Sequence, residues 1–382
     1  MTELNASERQ GRSVSRLILV IFLLLSMHAP AQNAPSGFDD LVLQATAARE
    51  QNNIPQAIDL YNQAVAINPK WPDGWWFLGS LQYATDAYGP ARDALTHYIE
   101  INPRAGPAIA LRGLCEFETG EYVQSLQDIQ RGLSLGAANQ PRNAEILQYH
   151  EALLLTRNGK FGDALKEYGV LSKAHAAANP DLFEGIGLAG LRTPLLPKEV
   201  KPEQRQLFMM AGEAAFYFMS GDEITAKQKL QDFFQRFHTA TNAHHLYGYL
   251  LVPTDPDQAV AEFKRELQIT PSNAAASLML AWNSLIRSDP SDALIYAQKA
   301  VEEKPTFPSA QLMLGRSLVE TGDAKEGLTH LQKALQAEPQ NLETHIALAK
   351  AYSELGRKQD ARRERLLCLQ LTKDETTRVA NP

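Results

Sequence analysis

The chain has 382 residues, of which 44% are apolar, 21% charged and 8% aromatic, a composition that excludes a disordered or collagen-like polymer. Its 37 Lys and Arg stand against 44 Asp and Glu, for a net charge of −7, and no dense basic run occurs. That balance excludes a protein that holds nucleic-acid phosphates on a basic stripe.

At the start of the chain, Arg9, Arg12 and Arg16 precede an unbroken apolar run, Leu17 to Leu25, followed by small residues at Ala29 and Ala31. This order reads as a secretory signal over residues 1–31, cleaved after Ala31. The alternative is a retained anchor, but nine apolar residues fall well short of the ~20 needed to cross a bilayer. Loss of the leader leaves a net charge of about −8. No Cys beside the cleavage site offers a lipid attachment point, and no later segment is apolar enough to span. The expected location is outside the cytoplasm, periplasmic or extracellular, with envelope association as a variant. Cys115 and Cys368 are the only cysteines, too few for a disulfide framework. Both lie in helical patterns and are expected to be buried, unreactive thiols.

Beyond the leader the dominant signal is a period of 34 residues. Pro69 and Pro103 are 34 apart, as are Pro271, Pro305 and Pro339 in succession. Ala57, Ala91 and Ser125 keep the same interval, and so do Ala259, Ala293, Gly327 and Ala361. A fixed period of this size marks stacked supersecondary units. Within a unit, GWWFLGSLQY, a Gly/Pro break and PARDALTHYIEI show apolar residues at three and four spacing, which predicts a helical hairpin. The breaks repeat their chemistry: Asn53 near Pro55, Gly89 before Pro90, Asp255 before Pro256 and Asp289 before Pro290. Proline there suits the first turn of a helix. Small residues at Gly79, Gly113, Ala152, Ala214, Ala281, Gly315 and Ala349 are expected to face the small residues of the second helix. Tyr61, Leu95, Ile129, Tyr168, Leu230, Phe263 and Leu331 are expected to fill the seams.

These positions resemble the tetratricopeptide repeat, of the exported bacterial kind, through Trp75, Leu78-Gly79, Ala91 and Pro103. The same pattern recurs in Leu314-Gly315, Ala334 and Pro339, and in Leu348-Ala349, Tyr352 and Ala361. The resemblance implies an all-α fold, a right-handed superhelical solenoid of about nine tetratricopeptide-like hairpins. Four units are expected over residues 38–178, a connector or degenerate hairpin over 179–206, five units over 207–375, and a tail over 376–382. Gly132, Phe233 and Glu266 depart from the small residue expected in the second helix. The resemblance further implies a non-catalytic scaffold that holds a protein or peptide on its concave face. Carried over by phase, the groove residues are Trp76, Tyr83, Leu114, Phe117, Phe218, Tyr249 and Trp282, of which several could instead pack between hairpins. A glycan-binding envelope protein using the same aromatic trough is the alternative.

Chemistry finds little support in the residues. Gly185-Ile-Gly187-Leu-Ala-Gly190 has the glycine spacing of a dinucleotide-binding turn, but Asn179 to Glu184 reads as a helix start where a strand is needed. His238, His244 and His245 lack metal-ligand spacing, which argues against a metal-dependent hydrolase. No nucleophile elbow and no phosphate-cradling Gly-Lys-Ser/Thr occurs. The expectation is no enzyme activity, no cofactor and no metal.

Overall fold

The computed structural model describes residues 36–139, 141–174 and 180–380. The leader expected over residues 1–31 lies outside them. The chain forms two compact units, residues 1–167 and 168–382, whose described elements are helices. The first contains α1 (Ser36–Glu50), α2 (Ile54–Ile67), α3 (Pro72–Ala84), α4 (Tyr88–Ile101), α5 (Gly106–Thr119), α6 (Tyr122–Ser134) and α7 (Pro141–Arg157). The boundary falls within α8 (Phe161–Ala174). The second continues with α9 (Pro180–Gly190), a 3-10 turn at Pro197–Glu199, α10 (Pro202–Ser220), α11 (Glu223–Phe237), α12 (Ala243–Leu251) and α13 (Pro256–Ile269). It ends with α14 (Ala274–Ile286), α15 (Pro290–Glu303), α16 (Pro308–Glu320), α17 (Ala324–Ala337), α18 (Leu342–Glu354) and α19 (Lys358–Ala380).

Helices pack on their sequence neighbours, and first helices also meet the first helix of the next hairpin, as in α5 with α7, α14 with α16 and α16 with α18. The architecture is an all-α solenoid of paired helices, in which each hairpin contributes to the core of its neighbours. The periodic positions explain why. Ala57, Ala91, Ser125, Ala259, Ala293 and Ala361 are buried in the second helices, and Tyr61, Leu95, Ile129, Phe263 and Leu331 are buried beside them. A side chain of this size contributes about 1.5–3 kcal/mol when buried. The intra-hairpin crossing leaves no room for more: a Cβ on Gly315 would stand 2.7 Å from Leu331 Cγ and 2.9 Å from the Gly327 carbonyl oxygen. In the hairpin of α12 and α13 the close approach is made by Gly248, whose Cβ would lie 3.0 Å from the Ala259 oxygen.

The turns inside the hairpins repeat as strictly as the helices. Asn52, Asp86 and Gly120, then Ser288, Gly322 and Gly356, stand 34 apart and all have positive φ, closing the first helix of each hairpin with one left-handed residue. In the second unit α13, α15 and α17 then start on side-chain caps, which α2, α4 and α6 of the first unit lack. Asp255, Asp289 and Asp323 each accept a hydrogen bond of 3.0 Å from the backbone N–H three residues on, and Pro256 and Pro290 follow directly where no N–H is needed. The closing prolines carry a further repeated bond. Six residues beyond each, Trp75 Nε1 donates to the Pro69 carbonyl (2.8 Å), Gln311 Nε2 to that of Pro305 (2.6 Å) and His345 Nε2 lies 3.0 Å from that of Pro339. Ile109 cannot do this for Pro103, and Arg131 Nη2 of α6 donates there instead (2.8 Å).

The segment between Asn179 and Gln206 contains α9, which crosses α10 antiparallel at backbone contact. A Cβ on Gly187 would stand 1.9 Å from the Phe208 carbonyl oxygen, and one on Gly212 1.7 Å from that of Phe183. Gly187 therefore serves helix packing inside a helix, which accounts for the glycine spacing without a nucleotide. The three departures also have roles: Phe233 is buried, Gly132 lets Ala110 approach, and Glu266 enters a buried polar network. One expectation is corrected. Cys115 is buried, but Cys368 on α19 is partly exposed; both are free thiols.

Gly187→Ala is expected to lower stability by about 1–3 kcal/mol through overpacking. Ser288→Gly is expected to be neutral or stabilising, because it relieves a left-handed non-glycine residue. Urea midpoints measure both, and an unchanged Gly187→Ala midpoint would refute the α9–α10 contact.

Candidate partner-binding surfaces

The seven residues expected on the groove separate into two groups. In the first unit, Trp76 is half-buried on α3, its ring centroid 5.6 Å from that of Tyr98 on α4, and its carbonyl accepts from Ser80 Oγ at 2.7 Å. Tyr83, Leu114 and Phe117 are buried. Tyr83 meets Tyr88 edge-on at 5.6 Å. Phe117 lies between Tyr122 of its own hairpin (5.8 Å) and His150 of α7 (4.8 Å), so it joins one first helix to the next. In the second unit Phe218, Tyr249 and Trp282 are all half-buried. Phe218 flanks the core of Leu251, Ala259, Phe263 and Leu280, and Trp282 flanks the core around Leu312, Leu318 and Leu331. Trp76, Phe218, Tyr249 and Trp282 thus keep part of their surface accessible to solvent, and Trp76, Phe218 and Trp282 also pack against buried core residues.

Sequence periodicity does not disclose the polar groups buried between these helices. On α5 and α6, Arg112 grips Asp128 in a forked pair, Nε to Oδ2 at 2.5 Å and Nη2 to Oδ1 at 3.1 Å. Glu116, one turn along α5, lies 3.9 Å from the same guanidinium. Burial and the Asp128 charge push the Glu116 carboxyl up to about 7, against the opposing pull of Arg112. Arg92 of α4 closes the cluster, bonding Asp93 at 3.0 Å and Glu121. In the second unit Glu266 is fully buried. It accepts from the Asn242 N–H (2.8 Å), Asn273 Nδ2 (3.0 Å) and the His245 N–H (3.3 Å), and so caps the start of α12 with a carboxylate. Asn242 Nδ2 reaches the Leu191 carbonyl at 3.1 Å, which ties α12 to the end of α9.

The three histidines do not converge on a ligand site. His238 is exposed, and His244 Nδ1 lies 2.6 Å from Glu262 while its ring stacks on Phe234 at 4.6 Å. His245 is buried, and burial together with Arg192 pushes its imidazole down to about 3, so it is neutral. Among the described residues no group of three or more His, Cys, Asp and Glu is placed to hold a metal ion, and no helix is long and apolar enough to cross a membrane. Burial pushes the Cys115 thiol up, away from the thiolate a nucleophile needs. The arrangement offers rings, ion pairs and caps, and the polar groups hold helices together.

Residues 42–108 and 318–364 match family models of the tetratricopeptide repeat, so repeats of this family occur in both units. Anaphase-promoting complex subunit 3 of Dictyostelium discoideum is 29% identical over 97 residues, which are 25% of this chain and 10% of that protein. The chain thus spans about a tenth of the length of the curated relative it matches. Among solved structures, MamA from Desulfovibrio magneticus RS-1 is 18% identical, covering 45% of this chain and 96% of its own, with a TM-score of 0.38. YrrB, described as a tetratricopeptide-repeat protein with an unusual peptide-binding site, is 17% identical over 47% of this chain and 93% of its own, with a TM-score of 0.38.

Glu116 carries a pH signature. A carboxyl whose pKa is raised on folding supports the fold below its unfolded pKa and loses that support as pH rises through about 7. Glu116→Gln is therefore expected to gain stability over the parent at pH 8 and to match it near pH 5. Equal denaturant midpoints for the two proteins at both pH values would contradict the buried placement of this carboxyl.

Proposed function

We propose that the chain is a non-catalytic scaffold that holds a protein partner on the inner faces of its first helices. The supporting observation is the set of half-buried aromatics, Trp76 in the first unit and Phe218, Tyr249 and Trp282 in the second, of which Trp76 lies on a stretch that matches a family built for protein–protein interaction. Each of these residues keeps part of its surface in solvent, and aromatic side chains bury large area against a partner at low entropic cost. The same reading makes the protein an exported one. Its support is the order of three arginines, the Leu17–Leu25 apolar run and the small residues ending at Ala31.

Crosslinking in the producing cells, followed by mass spectrometry of the captured species, tests the scaffold directly. Trp76→Ala is expected to weaken capture by more than tenfold while lowering the melting temperature only slightly. The reverse order, a large loss of stability with capture intact, would place Trp76 in the core alone. Capture of soluble polysaccharide and no protein would instead assign the aromatics to stacking on sugar rings. Export is tested separately: amino-terminal sequencing of the recovered protein is expected to begin at Gln32, and a chain that still begins at Met1 would overturn the cleaved leader.

A further inference from the structure

The last hairpin ends the second unit with an uncovered seam. Between α18 and α19 runs a groove of about 790 Å³ floored by Leu342, Ile346 and Leu369 and bordered by Lys350, Arg365 and Lys373, with no carboxylate among the described residues of its lining. Ile346 is 54% exposed and Leu369 69% exposed. One period earlier their counterparts are Leu312, which is buried, and Leu335, which packs against the same core cluster, because the next hairpin covers them. A solenoid face left to solvent is ordinarily polar. This one keeps the apolar pair and adds cations. Arg365 stands where Leu331, Ile129 and Leu95 are buried in other hairpins; its Nη2 bonds Ser353 Oγ at 2.7 Å, and Lys350 Nζ also reaches Glu320 at 2.5 Å.

The first helix shows the opposite departure. Leu43 of α1 is 69% exposed, whereas Phe77, Leu111 and Met313, at the same phase of later units, are buried against the preceding hairpin. Asp40 of α1 is exposed at a phase where Gly74, Ala108, Ala276, Ala310 and Thr344 are buried. The face of α1 that would stack on a preceding hairpin therefore presents an uncovered leucine and an acid, and the face of α18 and α19 that would receive a following hairpin presents uncovered apolar residues and three cations. In internal repeats these two faces form the seam between successive hairpins.

We propose that the α18–α19 groove is occupied by α1 of a second copy of this chain, so that copies join head to tail. Leu43 then covers the apolar floor around Ile346 and Leu369, and Asp40 meets Lys373 and Arg365 at its edge. The contact is heterologous, each copy using two different faces. It is separate from the inner-face aromatics and stands or falls independently of the scaffold reading.

Sedimentation velocity of the protein as purified from its cells, across a hundredfold range of concentration, tests this. The parent is expected to grow in mass with concentration and to dissociate as salt is raised. Leu43→Asp and Leu369→Asp are each expected to remain monomeric alone. Mixed together they should form one-to-one complexes that grow no further, since each supplies the intact face that the other lacks. Circular dichroism establishes that both variants are folded. If Leu369→Asp fails to fold, the pair Asp40→Lys and Lys373→Glu serves instead: each alone weakens association at least tenfold, and the mixture restores it. A parent that stays monomeric throughout overturns the proposal. So does association that persists in Leu43→Asp, or a mixture of folded variants that forms no complex.

Discussion

The structure depends on one constraint: a single helical hairpin here cannot bury its own apolar face. Helices of 13 or 14 residues, such as α3, α4, α16 and α17, are marginal in water when isolated. They persist because small residues let the two helices of a hairpin come into backbone contact, and because the bulky residues beside that contact are covered by the next hairpin. Gly315 against Gly327 and Leu331 shows the first half of this arrangement, and the burial of Leu312 beneath its neighbours shows the second. Every other feature is secondary to this exchange of buried area between neighbours.

Polar groups then fix how neighbours sit. The Arg112–Asp128 fork, the Glu266 cap on α12 and the donors to the closing-proline carbonyls all satisfy groups that stacking takes out of water. The last of these is informative because Trp75, Gln311 and His345 share no chemistry except an N–H at the right height. At this position three different side chains supply the same hydrogen bond, whereas Ile109 and Ser277 at the same phase do not.

The fold was legible because its main force is periodic. Proline, alanine and bulky apolar residues spaced 34 apart encode paired helices, seams and turns, and the left-handed residues Asn52, Asp86 and Gly120, and again Ser288, Gly322 and Gly356, follow the same interval. The surface was less legible, because the phase of a residue states which helix it belongs to and not how deeply its neighbours cover it. Tyr83, Leu114 and Phe117 share the phase logic of Trp76 and Trp282, yet they are buried: Phe117 finds His150 on the next first helix and Tyr83 finds Tyr88 across its own turn. Cys368 errs in the other direction, since a position buried in internal hairpins is open in the last one. Glu116, Asp128 and Glu266 could not be paired from sequence, because their partners come from neighbouring helices at spacings that no short motif records.

If each hairpin owes its stability to the ones beside it, protection must fall toward any end that lacks a neighbour. Native-state hydrogen exchange, measured at a dilution where copies do not associate, tests this most directly. Amides of α1 and of α18 and α19 are expected to exchange well before those of α4, α5 and α16, in a graded order along each unit. Equal protection for terminal and internal hairpins would contradict neighbour stacking as the source of stability.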